Sequence, residues 1–427
     1  MFKKKNNIEL ENIIIIFLHL TPLIFLLRSA IINIHLTIIS ILFLIYLYLK
    51  NNFSFLLKKN NFLLILFWMI LVISTMINDN PYILKSIFYI RFIFFTFAFL
   101  YFYNLFFDKK YNYLFVLNLI ILFLISADLI YQFINGKNIL GYVGQMCHDI
   151  NNKTFCSRYS GIFGDELIMG GYLSTVGFLI INRFFLNNKV FIIINFVLLL
   201  LIILTGERSA LLLCFVFNII LFFKNSFEKK KSLLVFTIIF VGTLFSFNNP
   251  IKFQIQERFL KSTGYFLFDN FYDKNRNINP NTKFDLDKFK SSPWSLHYHA
   301  GFLIFKKNMF FGGGIKSFRL NCKEYVFLNT KKYNACSTHP HNFLLEVLID
   351  TGIIGFFSLI SFFILKLKPI FDKKFIQLYP ILFLIIIFLF LPRPTGSLFS
   401  TFFAFQFWYF LSLLITVFNF KKKINFR

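Results

Sequence analysis

Residues Thr338 to Gly355 read THPHNFLLEVLIDTGIIG, a polar segment with two histidines that runs straight into an apolar stretch of the kind that spans a bilayer. Neutral imidazole near pH 7 takes a proton from a hydroxyl without help from a metal, so His341 is the candidate general base. His339 lies two residues earlier, with Pro340 fixing the backbone between them. Asn342 is suited to cap the apolar helix, whose N-terminal dipole favours an anion close by. A plain polar cap is the alternative reading of the same His-Asn pair.

Two arginines are candidate anion ligands. Arg208, in TGERSALLL, falls in a very tight turn between two apolar stretches, a depth at which its charge needs water, a partner or a ligand. Its guanidinium matches phosphate oxygens bidentately, where a lysine offers a point charge; a local ion pair with Glu207 is the plainer alternative. Arg158, in SRYSGIFGDELIMGGY, is a second candidate, against the alternative of a solvated loop charge. His297 and His299, with His339 and His341, invite a zinc reading, yet nothing fixes four ligands together, so neither metal nor cofactor is expected. Gly312, Gly313, Gly314, Lys316 and Ser317 depart from the phosphate-loop spacing.

The elements that must hold these residues are membrane helices. Of the 427 residues, 57% are hydrophobic and 21% aromatic, and stretches long enough to cross a bilayer recur from Ile13 to Phe418. The expected spans are Asn12–Leu27, Ala30–Leu49, Phe62–Ile77, Ile90–Phe107, Tyr113–Phe133, Leu167–Ile181, Val190–Thr205, Ala210–Phe223, Leu233–Phe247, Phe343–Leu365, Phe375–Leu391 and Phe399–Phe418. The expected fold is therefore all-α and integral to the membrane, with about twelve transmembrane helices. Residues 1–247 form the N-terminal helices, 248–342 one large loop folded as a cap over the bundle, and 343–427 the C-terminal helices. The net charge of +26 comes from Lys and Arg in alternate loops. By the positive-inside rule both termini are cytoplasmic and the large loop extracytoplasmic. Basic residues interrupted by spans do not form a nucleic-acid footprint.

Four of the five cysteines fall in two expected extracytoplasmic segments, the polar Asn135–Asp165 loop and the large loop. Pairing Cys322 with Cys336 would close a short loop before the histidines, worth about 3 kcal/mol in the chain-entropy account. Cys147 with Cys156 is the parallel expectation, and four free thiols the alternative.

His341-Asn342, nine residues, then Gly352-x-x-Gly355 resembles the His-Asn-x9-Gly-x-x-Gly signature of the O-antigen ligase and O-antigen polymerase superfamily, and Arg208-x-x-x-Leu212 resembles its Arg-x3-Leu signature. The Gly161–Tyr172 and Phe310–Phe318 segments also look like that family. The resemblance implies a metal-independent, inverting glycosyltransferase of the bacterial inner membrane, its active site periplasmic. The implied donor is a glycan on undecaprenyl pyrophosphate. The implied acceptor is lipid A-core in ligases or a second lipid-linked glycan in polymerases, with membrane lipids as surroundings. By the same analogy Arg208 holds the pyrophosphate and His341 deprotonates the acceptor, with Arg158, Asn342 and His339 as further substrate contacts. Family members carry another arginine in the long loop, where this chain has Trp294-Ser-Leu-His-Tyr-His299. Either His297 takes that place, or Arg258, Arg276 or Arg319 reaches in. A bicarbonate-carrier-like transporter is the alternative class; it would show broken helices and ionisable groups near the bilayer midplane.

Overall fold

The computed structural model describes residues 2–105, 110–150, 153–185, 191–224, 264, 268–269, 283–330, 334–367 and 396–424. They are mostly helical. The helices are α1 (Phe2–Ile24), α2 (Ser29–Leu49), α3 (Lys59–Ile77), α4 (Ile83–Phe88), α5 (Ile90–Leu105) and α6 (Lys110–Asn135). The hairpin β1 (Gln145–Ile150) and β2 (Lys153–Arg158) follows. Next comes α7, which opens at Met169–Tyr172, widens to a π-helix over Leu173–Gly177 and resumes at Phe178–Phe185. Then come α8 (Phe191–Thr205), α9 (Arg208–Lys224), α10 (Pro293–Lys307), α11 (Ser317–Asn321), α12 (Phe343–Leu367) and α13 (Thr401–Ile424). A second small hairpin pairs Phe268–Asp269 with Lys283–Phe284.

Helices occupy ten of the twelve expected span positions; Leu233–Phe247 and Phe375–Leu391 lie outside the described residues. Five helices among the described residues are long and apolar enough to cross a membrane. Their outer faces explain why. On α2, Ile32, Leu36, Ile39, Phe43 and Leu47 turn inward, while Ile34, Ile41 and Ile45 stay exposed on the other side. A helix apolar on both faces suits protein within and lipid without.

The segment from α10 to the start of α12, called the cap below, has its own core, in which Leu296, Ala300 and Ile304 of α10 meet Phe318, Cys322 and Tyr325, with Ile349 of α12 closing it. Ser292 caps α10 by accepting from the Ser295 amide, and Pro293 stands at its first position, where a missing N–H does no harm. The rest of the hydrophobic core runs through the helix bundle.

Helix α12 is broken. Gly352 sits at φ 62° and ψ −169° inside it, a conformation open to glycine. The backbone of Met309–Gly314 fills the gap: Gly313 N–H donates to Ile349 O (2.8 Å) and Gly314 N–H to Asp350 O (3.0 Å), while Ile353 N–H donates to Met309 O (2.8 Å). A Cβ on Gly352 would stand 2.2 Å from Phe310 O. Helix α3 seals the junction, Ser74 Oγ donating to Gly312 O (2.8 Å) and Thr75 Oγ accepting from the Ile315 amide (3.1 Å).

Candidate functional site

The turn between α8 and α9 positions Arg208. Gly206 turns the chain at φ 65°, so close to β2 that a Cβ there would lie 2.2 Å from Ser157 O. That contact brings the end of β2, and with it Arg158, against the start of α9. The hairpin behind Arg158 is held by its register and by a disulfide between Cys147 and Cys156.

Arg158 is only 4% exposed, so the reading of a solvated loop charge is wrong for it. Its Nε and Nη2 are buried without a hydrogen-bond partner. Burial disfavours its cation, and the Glu207 charge offsets part of that cost. Glu207 itself accepts from the amides of Gly170 (2.8 Å) and Gly171 (3.2 Å), capping the start of α7. Arg208 is disfavoured as a cation first by burial and then by the charge of Arg158. Two buried guanidinium groups close enough for one charge to act on the other have the donors to meet an anion with several oxygens.

The cap joins this pair to the histidines. The Arg208 guanidinium lies over the Trp294 ring, 5.2 Å from its centroid, a cation–π contact that fixes the first turn of α10 above the turn. One helical turn later on α10, His297 faces His341 with ring centroids 4.9 Å apart, and the His339 ring lies 4.3 Å from that of His341. Burial first, and then the His341 charge, bring His297 down to about 4. It is therefore neutral at pH 7, and its Nδ1 is buried without a hydrogen-bond partner.

His341 itself holds a left-handed backbone at φ 56°. A residue other than glycine, asparagine or aspartate there costs about 1–2 kcal/mol, which the surrounding contacts must offset. Asn342 caps α12, its Oδ1 accepting from the Leu345 amide at 3.0 Å. Ser337 Oγ lies 3.5 Å from His341 Nε2. Thr338 Oγ lies 2.9 Å from His339 Nδ1. A disulfide between Cys322 and Cys336 ties the segment before the histidines to the cap core.

Arg158 and Arg208 are thus tied to the cluster of His297, His339 and His341 by α10, which carries both Trp294 and His297. Arg319 does not join it: it is exposed on α11, where its charge acts on Lys316. Arg258 and Arg276 lie outside the described residues. Among the described residues no group of three or more His, Cys, Asp or Glu is arranged to hold a metal ion.

Sequence reasoning missed two buried carboxylates, Glu346 and Asp350. Glu346 accepts from Ser397 Oγ and the Leu398 amide, and Asp350 from the amides of Lys316 (2.7 Å) and Ser317 (3.0 Å). Their place inside an apolar run was the available signal. Trp294 was likewise unassigned, and only its amphipathic position before the two histidines marked it.

The fold and site define a multi-pass membrane protein whose polar groups gather where α10 and the segment before α12 meet the helix ends. Residues 192–360 match the family model described as O-antigen ligase, the family whose motifs the chain resembles. That match holds Arg208, His297, His341 and the broken helix, and it supports a lipid-linked glycan transferase of the ligase or polymerase type. No curated protein matches the chain.

Proposed function

We propose that the chain transfers a glycan from an undecaprenyl pyrophosphate donor to an acceptor hydroxyl, with lipid A-core as the acceptor, at the periplasmic face of the inner membrane. The observation that carries this reading is the buried pair Arg158 and Arg208, linked through Trp294 to the histidine trio. A pyrophosphate has the charge to relieve the mutual repulsion of the two guanidinium groups, and it leaves as a stabilised anion. His341 takes the proton of the acceptor O–H, the oxygen forms a bond to the anomeric carbon, and the bond from that carbon to the pyrophosphate oxygen breaks. Attack from the face opposite the leaving group inverts the anomeric centre. His297, neutral and buried against His341, sets the orientation of its ring.

The broken helix α12 bears on the transporter reading. Its break is filled by the Met309–Gly314 backbone, and its two carboxylates are bonded to amides, so neither lines an open path. The test is purified protein in liposomes with lipid-linked donor and two acceptors, lipid A-core and a lipid-linked repeat unit. Extension of lipid A-core is expected; extension of the repeat unit alone assigns the polymerase branch. His341→Ala and Arg208→Ala are each expected to insert normally and lose transfer, and wild-type transfer by either one would sink the assignment.

A further inference from the structure

A cavity of about 670 Å³, within the usual range of ligand sites, opens where α2, α4, α5 and α13 begin. None of Arg158, Arg208, His297 or His341 lines it, so it is separate from the transfer site. Lys85, Arg91 and Lys316 bring three cations to its wall, against the lining carboxylate of Glu166 and the charges of Glu346 and Asp350 that act on Lys316. The Glu166 carboxylate is pushed up by its own burial and by Asp165, which weakens its offset.

Arg91 and Lys316 are half-buried and held in place, with Lys85 exposed beside them. Lys316 is fixed by a left-handed backbone at φ 61°, whose amide donates to Asp350. Lys85 and Lys316 approach the same Tyr82 ring, with Nζ at 4.4 and 5.9 Å from its centroid. Arg91 is oriented by Phe88 O (2.7 Å) and Asn33 Oδ1 (2.9 Å), while its Nε is buried without a hydrogen-bond partner. Among the described residues no carboxylate forms an ion pair with any of the three. Beside these charges the mouth is greasy: Ile34, Leu84 and Phe88 are 60, 65 and 56% exposed. Cations at helix ends above an exposed apolar wall match a ligand with an anionic head and a hydrocarbon tail.

We infer that this cavity holds the phosphate headgroup of a membrane lipid, its chains against Ile34, Leu84 and Phe88, as a second anion site apart from the arginine pair. The ammonium groups of Lys85 and Lys316 meet the phosphate as point charges, and the Arg91 Nε supplies a directed donor.

The test uses the full chain in uncharged detergent, with phosphatidic acid or diacylglycerol of the same chains and bound lipid read by native mass spectrometry. Phosphatidic acid is expected to be retained and diacylglycerol not, with no displacement by millimolar inorganic phosphate. The Lys85→Gln/Lys316→Gln double variant is expected to weaken retention about fivefold for each lysine removed. Arg208→Ala, which empties the transfer site of its anion ligand, is expected to retain the lipid as wild type does. Should the double variant fail to fold, Lys85→Glu alone, at an exposed position, is expected to lose retention as well. Retention of diacylglycerol equal to phosphatidic acid, displacement by free phosphate, or unchanged retention in the lysine variants overturns the inference. Loss of retention in Arg208→Ala does so too, by merging the two sites.

Discussion

Replacing Gly352 by alanine tests the joint between the broken helix and the glycine loop. The new Cβ would lie 2.2 Å from Phe310 O, 2.4 Å from Phe310 C and 2.6 Å from Gly312 N, all backbone atoms that no rotamer can move aside. Ordinary contact begins near 3.4 Å, so the loop must retreat by about 3.4 − 2.2 = 1.2 Å. The positive φ adds about 1–3 kcal/mol of strain. A retreat of that size disrupts bonds such as Ile353 N–H to Met309 O and Gly313 N–H to Ile349 O, at about 1–3 kcal/mol for each buried group left unpaired. Together these give a loss of about 3–9 kcal/mol, read by reversible denaturation in micelles. Gly136→Ala is the control, since Gly136 has a similar φ of 74° and nothing within 4 Å of its Cβ. It carries only the strain, about 1–2 kcal/mol. Gly312→Ala, whose Cβ would meet Asp350 C and Gly352 N at 2.5 Å, breaks the same joint from the other side. The Gly312→Ala/Gly352→Ala double variant is thus expected to lose less than the sum of the single losses. Equal losses for Gly352→Ala and Gly136→Ala, or strict additivity in the double variant, would refute the packing argument.

Two further outcomes follow from the site. Arg158→Met is expected to stabilise the fold by about 1–4 kcal/mol in denaturation, because a buried cation with unpaired nitrogens gives way to apolar packing, while transfer falls about 100-fold or more; stability and activity lost together would point to a structural arginine. His297 has a folded-state pKa of about 4, below the ordinary value near 6.5. The unfolded chain therefore binds the extra proton first, and the stability due to the neutral ring is present in full above about pH 6.5 and lost as pH falls toward 4. Its slope is at most about 1.4 kcal/mol per pH unit, and His297→Gln is expected to remove it in titrations of unfolding free energy. An unchanged slope in that variant would move the effect to another group.

The sequence marked its candidate residues more plainly than the architecture that holds them. Arg208 and His341 were legible because an arginine in a tight apolar turn and a histidine at a helix mouth are each out of place unless something uses them. Arg158 was visible only as a loop charge, since its burial depends on Gly206 fitting against Ser157, a contact between segments far apart in the chain. The break at Gly352 left no trace in hydropathy, because the apolar run continues through it. Its hydrogen bonds come from residues about forty positions upstream, and such non-local bonds have no local signature. That Arg319 stays apart from the other arginines likewise turned on exposure, which composition does not report: it lies on the surface.

The gap in α12 also constrains how the molecule is made. Without the Met309–Gly314 segment beside it, the broken form would leave the carbonyl of Ile349 and the amides of Ile353 and Ile354 unpaired in hydrocarbon. The helix must therefore enter the bilayer unbroken and open only when the cap docks, or enter with the cap already folded upon it. Either way the last membrane helices and the cap mature together. The glycine loop serves the nascent chain as a local assembly partner, translated before the helix it completes.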